Sequence, residues 1–433
     1  MPDEDIRAFR DPIHGFITVY PHEKAVIDTF PFQRLRRISQ LGLTSHIYHG
    51  AEHSRFGHSI GVMHLAGKAA SGLLERHKGL IRNAAGWSEG EFEERREGLV
   101  LMARLAGLLH DIGHAPFSHT GEHTLFEGTL SHEDYSAAIV NDTEIGEIME
   151  ESLQDKGITK VDVVGLLRGM IPAAYGFLRQ LLDSAYDVDK MDYLLRDSHY
   201  CGVEYGIFDI RRLIETLTLY DDDPSGALVL AVEEGGYHTL EALVIARYFM
   251  FTQVYFHKVR RANDLILTDF IQELLQEKYN SPNYPSSDNL QEYLKWDDSY
   301  VLSAAVERSE PGSENLAWMI CHRHHPKTVY ETTAHPDEYE ARTAYRTLLP
   351  EVQKEFPDVR VWRDIATDRP ERYREEPIPI KYAGDPPVWR SFVTTSAVLR
   401  GLEEIGQMRL YAYIGTSDEL RQEIRHFCRQ RMA

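Results

Sequence analysis

The chain is poor in cysteine: Cys201, Cys321 and Cys428 are the only three among 433 residues, far apart and odd in number. That argues against a disulfide framework and for a reducing compartment, the cytosol by default. Long apolar runs are also missing. Crossing a bilayer takes about 18 uninterrupted apolar residues, whereas LVLMARLAGLLH is short and broken by an arginine, so no membrane partner is expected. The opening MPDEDIRAFRDP has acidic residues where a signal peptide needs basic ones, and no apolar core follows, so export is not expected. Positive charge is scarce: 47 Lys+Arg against 68 Asp+Glu leave a net charge of −21. Such a balance disfavours non-specific binding to nucleic acid, and any anionic substrate must meet a local basic pocket. Internal repeats and heptad arrays are absent.

What the chain has in quantity is helical periodicity. Ile60, Met63, Ala66, Ala70 and Leu73 fall on one stripe, and Leu99, Met102, Leu105, Ala106 and Leu109 repeat the pattern. Between them NAAGWSEGEFEERREG (Asn83 to Gly98) is polar, charged and glycine-punctuated, and reads as an exposed connection. VDVVGLLRGM, DKMDYLLRDSHY and the long run from Tyr237 to Tyr279 suggest further helices, and NSPNYPSSDN (Asn280 to Asn289) separates helical segments. After Pro311 the β-branched runs PKTVYETT and IPIKYAG are interleaved with a helix over 339–356. The pattern predicts a mainly α protein, with a helical core over 1–310 and a smaller α+β region over 311–433.

LAGLLHDIGHAPFSHTGEH (Leu105 to His123) sets titratable side chains at the end of an apolar helix. His110 and Asp111 end that helix where side chains can enter a cleft without disturbing its buried face. Neutral imidazole and carboxylate both bind divalent transition metals, but two ligands leave a site incomplete. His58 in HSRFGHSIG and Asp189 in YDVDKMDYLLRD are the candidates to complete it, giving four N/O ligands with room for water. A His-Asp dipeptide alone is most often a helix end or a surface pair. The company of His114, His119, His132 and the upstream HSRFGH sets this one apart. A set of two histidines and two aspartates accepts Mn, Fe, Co, Ni or Zn. Glu122, three residues after His119, is placed to orient it or raise its pKa.

DPIHGFI, FQRLRRISQLG, HSRFGHSIGV, HDIGHAPFSH, SHED and DVDKMDYLLRD occur, over roughly residues 8–330, in an order and spacing that closely resemble the HD-domain deoxynucleoside triphosphate triphosphohydrolases. The SAM domain of the mammalian member is not expected, because the chain starts just before RDPIHG. The resemblance implies an HD-domain helical core in which His58, His110, Asp111 and Asp189 bind the metal, with Mg accompanying the triphosphate. It implies hydrolysis between the 5′ oxygen and the α-phosphorus of a dNTP, giving deoxynucleoside and triphosphate. His119 aligns with the general acid, a role for which imidazole is apt. Glu122 stands where the mammalian enzyme has aspartate, one methylene shorter. His114 and His132 would contact phosphates, with a plain helix-cap neighbour in TLSHEDY the lesser alternative for His132.

By the same resemblance Arg55, Lys190, Arg247 and Lys258 bind phosphates. Arg247 and Lys258 lie eleven residues apart on one predicted helix, close to three turns, and so share a face. Tyr193 and Asp197 follow Lys190 at helical spacing. Gln40 and Asp197 would bind the sugar 3′ hydroxyl, and Leu41 and Tyr255 would crowd the 2′ position, although core packing explains Leu41 and Tyr255 equally well.

CHRHHPK (Cys321 to Lys327) looks by composition like a second metal motif or a solvated basic loop. The resemblance assigns Arg323 and Lys327 instead to the phosphates of a regulatory nucleotide whose guanine is read by Asp28, Gln33 and Arg36 of DTFPFQRLRR. An aspartate and an arginine together match the donor and acceptor edges of guanine. This implies a dGTP or GTP activator held between subunits, hence a homotetramer or a dimer that pairs. The rival readings are an HD phosphohydrolase acting on monophosphates or signalling nucleotides, a single-strand nuclease, and a nucleotide-sensing regulatory protein. The metal set alone does not choose a leaving group. The negative charge opposes the nuclease, and the intact ligand set opposes the sensor.

Overall fold

The chain starts with an antiparallel hairpin, β1 (Arg7–Asp11) and β2 (Gly15–Val19), whose turn is set by one side chain. Asp11 Oδ1 accepts the N–H groups of Ile13 (2.8 Å) and His14 (2.9 Å), an Asx turn that presents His14 to the helical core. The computed structural model describes residues 6–221, 227–337, 340, 344–368 and 378–432.

The core is built on α1 (Arg55–Arg76) and α2 (Glu89–Leu109), whose apolar stripes are buried as the periodicity predicts. Each fully buried aliphatic side chain contributes about 1.5–3 kcal/mol. The helices approach closely because Gly107 has no side chain: a Cβ there would lie 3.1 Å from the Val62 carbonyl oxygen. The expected connection over 83–98 proves to be mostly helix. Lys78–Ala85 is helical, Gly86 is left-handed at φ 68°, and Ser88 and Glu91 form a reciprocal capping box that starts α2. The charges of that stretch mark a solvated helix face, and the capping box overrides loop-like composition.

Around this pair lie α3 (His132–Asp142), α4 (Val188–Cys201), α5 (Tyr237–Met250), α6 (Lys258–Tyr279), α7 (Asp298–Arg308) and α8 (Leu316–His322). The run from Tyr237 to Tyr279 is therefore two helices rather than one. α5 passes into a π turn over Phe251–Tyr255, and His257 Nδ1 accepts the Val259 N–H (3.3 Å) to begin α6. The cause is tertiary. Tyr255 donates its hydroxyl to buried Asp197 Oδ2 (2.6 Å), and Arg260 Nη1 satisfies the Tyr255 carbonyl freed by the break (2.6 Å). Arg247 and Lys258 consequently sit on different helices. α6 ends at left-handed Asn280, where the sequence places its break.

The strands β3 (Leu217–Tyr220), β4 (Val229–Glu233), β5 (Lys327–Glu331), β6 (Val361–Asp368), β7 (Pro379–Tyr382), β8 (Val388–Ser391) and β9 (Ile405–Ala412) form two small sheets. Their orders are β3-β4-β7-β8 and β5-β9-β6. The parallel pairing of β4 with β7, Val232 opposite Ile380, joins residues on either side of position 310. The terminal helix α9 (Asp418–Met432) covers a separate cluster that includes Val329, Leu348, Val352, Leu410 and Ile424. The helix expected over 339–356 appears as Ala344–Leu348 and Leu349–Glu355, while 339 and 341–343 lie outside the described residues. The protein is mainly α with small C-terminal sheets, as its sequence predicts. Among the described residues no helix is long and apolar enough to cross a membrane.

Candidate active site

Three helix ends converge. His58 lies in the first turn of α1, His110 and Asp111 follow the last turn of α2, and Asp189 lies in the first turn of α4, which Asp187 caps by accepting the Lys190 N–H (2.8 Å). His58 Nε2 is 2.9 Å from Asp189 Oδ1 and 3.4 Å from Asp111 Oδ2. His110 Nε2 is 3.3 Å from Asp111 Oδ1 and 3.5 Å from Asp189 Oδ1. The ligand atoms of His58, His110 and Asp189 lie within 4.8 Å of one another.

The remaining ring nitrogens explain why these atoms suit a cation. His58 Nδ1 donates to Asp192 Oδ2 (2.8 Å) and His110 Nδ1 donates to the Gly107 carbonyl (2.9 Å), so both Nε2 lone pairs turn inward. The buried His110 Nε2 has no hydrogen-bond partner. Burial lowers the His58 pKa, but hydrogen bonds to Asp111, Asp189 and Asp192 outweigh it and hold the group well above its ordinary value. The pocket thus demands a positive charge beside Nε2, and the donor set fits a divalent metal.

Sequence reasoning missed the layer behind the ligands. Asp192 accepts from His58, from His14 Nε2 (2.6 Å) and from Arg196 (2.8 and 2.9 Å), and Arg196 also donates to Asp11 Oδ2 (2.9 Å). The hairpin motif DPIHG therefore braces the first ligand. Asp192 reaches α1 only because Gly61 leaves space: a Cβ there would lie 1.9 Å from Asp192 Oδ1. The signal was the i, i+3 spacing of Asp189 and Asp192, which puts two carboxylates on one helix face.

A second group stands beside the first. Glu122 Oε2 accepts from His119 Nδ1 (2.7 Å), and Glu122 Oε1 accepts from His132 Nδ1, so one carboxylate holds two imidazoles. Burial raises the Glu122 pKa, yet those two hydrogen bonds keep it far below the carboxylate range. The His119 side chain is more than half exposed, yet desolvation by the surrounding wall lowers its pKa and Glu122 opposes that effect. His114 stacks on His132 with ring centroids 3.8 Å apart, and its Nε2 lies 3.2 Å from Asp111 Oδ1. Burial, the Arg55 charge and the neighbouring His132 ring hold its pKa well below the ordinary value. Ser131 caps α3 with Asp134 and places His132 in its first turn, so His132 is both a cap neighbour and a member of this group. Gly113 permits the approach, since a Cβ there would sit 2.2 Å from the His132 carbonyl oxygen. His114, His119, Glu122 and His132 also have ligand atoms within 4.8 Å of one another. His119 and His132 already commit their Nδ1 atoms to Glu122, however, so the first group fits a metal better.

Both groups open into one cavity of about 880 Å³, also lined by Gln40, Leu41, Arg55, Lys190, Tyr193, Asp197, Arg247 and Tyr255. Arg55 does not face it as a free cation, because Nη1 pairs with Asp111 and Nε donates to Ser118 Oγ (2.7 Å). Lys190 pairs with Asp187 (2.7 Å); burial lowers its pKa but the Asp187 charge outweighs this and raises it. Asp197 accepts from His53 (2.8 Å) and Tyr255. Leu41 and Tyr255 belong to the hydrophobic core and also line the cavity wall. Lys258 is the exception: it is exposed at the start of α6 and does not line the cavity, because the π turn separates it from Arg247. Arg260, Arg261 and Asp364 of β6 line it instead. No local signal marks β6 as a wall, since its partner Arg261 lies about a hundred positions earlier in the chain (364 − 261 = 103).

The remaining predicted positions lie elsewhere. Arg323, left-handed at φ 55°, donates to the His46 carbonyl (2.7 Å), and burial with the charges of Arg421 and Arg323 lowers the Lys327 pKa. Asp28 pairs with Lys24, Gln33 donates to the Ile27 carbonyl (2.7 Å), and Arg36 donates to Gln33 (2.8 Å) over the Phe56 ring. Neither described group with metal-ligand geometry includes CHRHHPK.

Comparison with known proteins agrees with this arrangement. Residues 55–197 match the HD domain and residues 208–341 match the HD associated region. The uncharacterized protein YwfO of Bacillus subtilis is 33% identical over 68% of this chain and 65% of its own length. The human deoxynucleoside triphosphate triphosphohydrolase SAMHD1 is 31% identical over 61% of this chain and 44% of its own. The chain thus spans less than two thirds of the length of these curated relatives. The crystal structure of a hypothetical protein from Aquifex aeolicus aligns with a TM-score of 0.74 at 31% identity, over 97% of this chain and 99% of that one. With its ligand helices inside the first match and α5 and α6 inside the second, the chain belongs to the HD-domain family and carries the HD associated region.

Proposed function

We propose that the chain is a metal-dependent hydrolase that converts dNTPs to deoxynucleoside and triphosphate. The observation that carries this reading is that the ligand group and the His119–Glu122–His132 group open into one cavity, whose wall also holds Lys190, Arg247, Arg260 and Arg261. A divalent metal bound by His58, His110, Asp111 and Asp189 would polarise the α-phosphate and lower the pKa of a bound water. The chain's own residues supply the rest. Lys190 and Arg247 hold phosphate oxygens, His114 offers its imidazole to the same group, and His119, oriented through Nδ1 by Glu122, donates a proton from Nε2 to the departing 5′ oxygen. Asp197 and Gln40 take the 3′ hydroxyl, and Leu41 and Tyr255 leave no space at the 2′ position.

Chromatography of products from each dNTP and from ATP, with Mn²⁺, tests the reaction and the sugar selection together. The expected products are deoxynucleoside and triphosphate, with dATP consumed far faster than ATP. Release of orthophosphate or pyrophosphate would favour the other HD phosphohydrolases, and equal rates on ATP and dATP would refute exclusion by Leu41 and Tyr255. No turnover with metal bound would favour a nucleotide sensor.

A regulatory site is part of the same proposal. Asp28, Gln33 and Arg36 would read guanine and Arg323 and Lys327 would hold its phosphates, with the site completed by oligomerisation into a homotetramer or paired dimer. Light scattering with and without dGTP, beside dATP hydrolysis, should show nucleotide-dependent assembly and activation in the parent and neither in Arg36→Ala. A monomer indifferent to dGTP would remove this part of the reading.

A further inference from the structure

The turn that carries His119 is held in an unfavourable conformation. Phe117 (φ 59°) and Ser118 (φ 62°) are consecutive buried non-glycine residues in the left-handed region. Such residues persist only where the surroundings over-determine them. The surroundings here centre on a residue 181 positions away from Phe117: Asp298, in the first turn of α7, whose Oδ1 accepts the Phe117 N–H (2.7 Å). Its Oδ2 accepts the Ser39 N–H (2.8 Å), immediately before Gln40 and Leu41. Capping does not explain it, because Asp297 caps α7 by accepting the Tyr300 N–H (2.9 Å). The clamp is closed on its other side by Ser118 Oγ, which donates to the Ser39 carbonyl (2.5 Å) and accepts from Arg55, the residue paired with Asp111.

We infer that Asp298 is a positioning residue whose carboxylate ties the 115–120 turn to the segment before Gln40, setting His119 and Gln40 on facing parts of the cavity wall. The catalytic half of this inference rests on the reading of His119 as proton donor; the structural half does not. Asparagine at this position has one acceptor atom, so it can satisfy one of the two N–H groups while its NH2 meets the other.

The test uses full-length Asp298→Asn and Asp298→Glu, the second keeping the charge but displacing it by a methylene. The expected result is faster hydrogen exchange in peptides covering 115–120 and 37–41, unchanged metal content, and a fall in kcat of about tenfold or more with KM little altered, since small misplacements of a reacting group are costly. If Asp298→Asn does not fold, Asp298→Glu decides alone. Unchanged exchange at 115–120 would overturn the inference. So would a lower Tm accompanied by parental kcat below that temperature, the mark of a merely structural role. A parent protein that binds metal but hydrolyses no dNTP would sink the proposed function, and the exchange data would still decide whether Asp298 holds the turn.

Discussion

His58→Ala, His110→Ala, Asp111→Ala and Asp189→Ala should each give a protein that retains little metal and no measurable turnover. Each side chain contributes one of the inward-facing donors within 3.5 Å of a neighbouring ligand atom. Changes that only touch partners behind the ligands typically cost about 10–100-fold in metal affinity, so loss of a ligand costs more. His58→Ala also strips Asp192 of one of three cationic or donor partners, while His14 and Arg196 still hold that carboxylate. The fold should therefore survive, and circular dichroism alongside elemental analysis separates metal loss from unfolding. Asp111→Ala differs, because it also releases the buried Arg55 guanidinium that anchors Ser118. That variant should lose thermal stability as well as metal. Full metal occupancy in all four would refute the assignment.

The candidate ligands were legible in the sequence because helix ends are. His110-Asp111 follows an apolar stripe and Asp189 follows an N-capping Asp187, so local pattern fixed both the element and the direction of its end. Where reasoning failed, tertiary contacts decided. The π turn at 251–255 exists to bring Tyr255 onto Asp197, and periodicity through that stretch continues regardless, which is why Lys258 was expected beside Arg247. Asp298 reaches the turn before His119, and β6 the cavity, from distant parts of the chain, and neither carries a mark in its own neighbourhood. Asp192 is intermediate: its spacing from Asp189 was visible, but its role depends on Gly61 and on a hairpin far upstream. The capping box at Ser88 was also legible, and was outweighed by a charge-rich composition that a solvated helix shares with a loop.

His119→Ala should lower turnover by about 10²-fold or more while metal stays bound, the usual scale for deleting an acid–base group. The separation is expected because His119 lies in the second group and bonds through Nδ1 to Glu122 rather than to Asp111 or Asp189. Glu122→Gln should have a smaller effect with a distinctive pH signature. The Glu122 charge opposes the desolvation that lowers the His119 pKa. Without that charge His119 loses its proton at lower pH, so less of it is protonated near neutrality. As the protonated form is the one that donates to the 5′ oxygen, the alkaline limb of the pH–rate profile should move to lower pH, and activity should recover as the buffer is made more acidic. Glutamine also offers a single acceptor oxygen where glutamate serves both His119 and His132, so His132 should lose orientation in the same variant. His132→Ala would then cost turnover without moving that limb in the same direction, because it leaves the whole carboxylate to His119. Turnover and metal content measured across pH for the three variants decide the matter; normal turnover in His119→Ala, or an alkaline limb unmoved in Glu122→Gln, would take this pair out of the proton transfer.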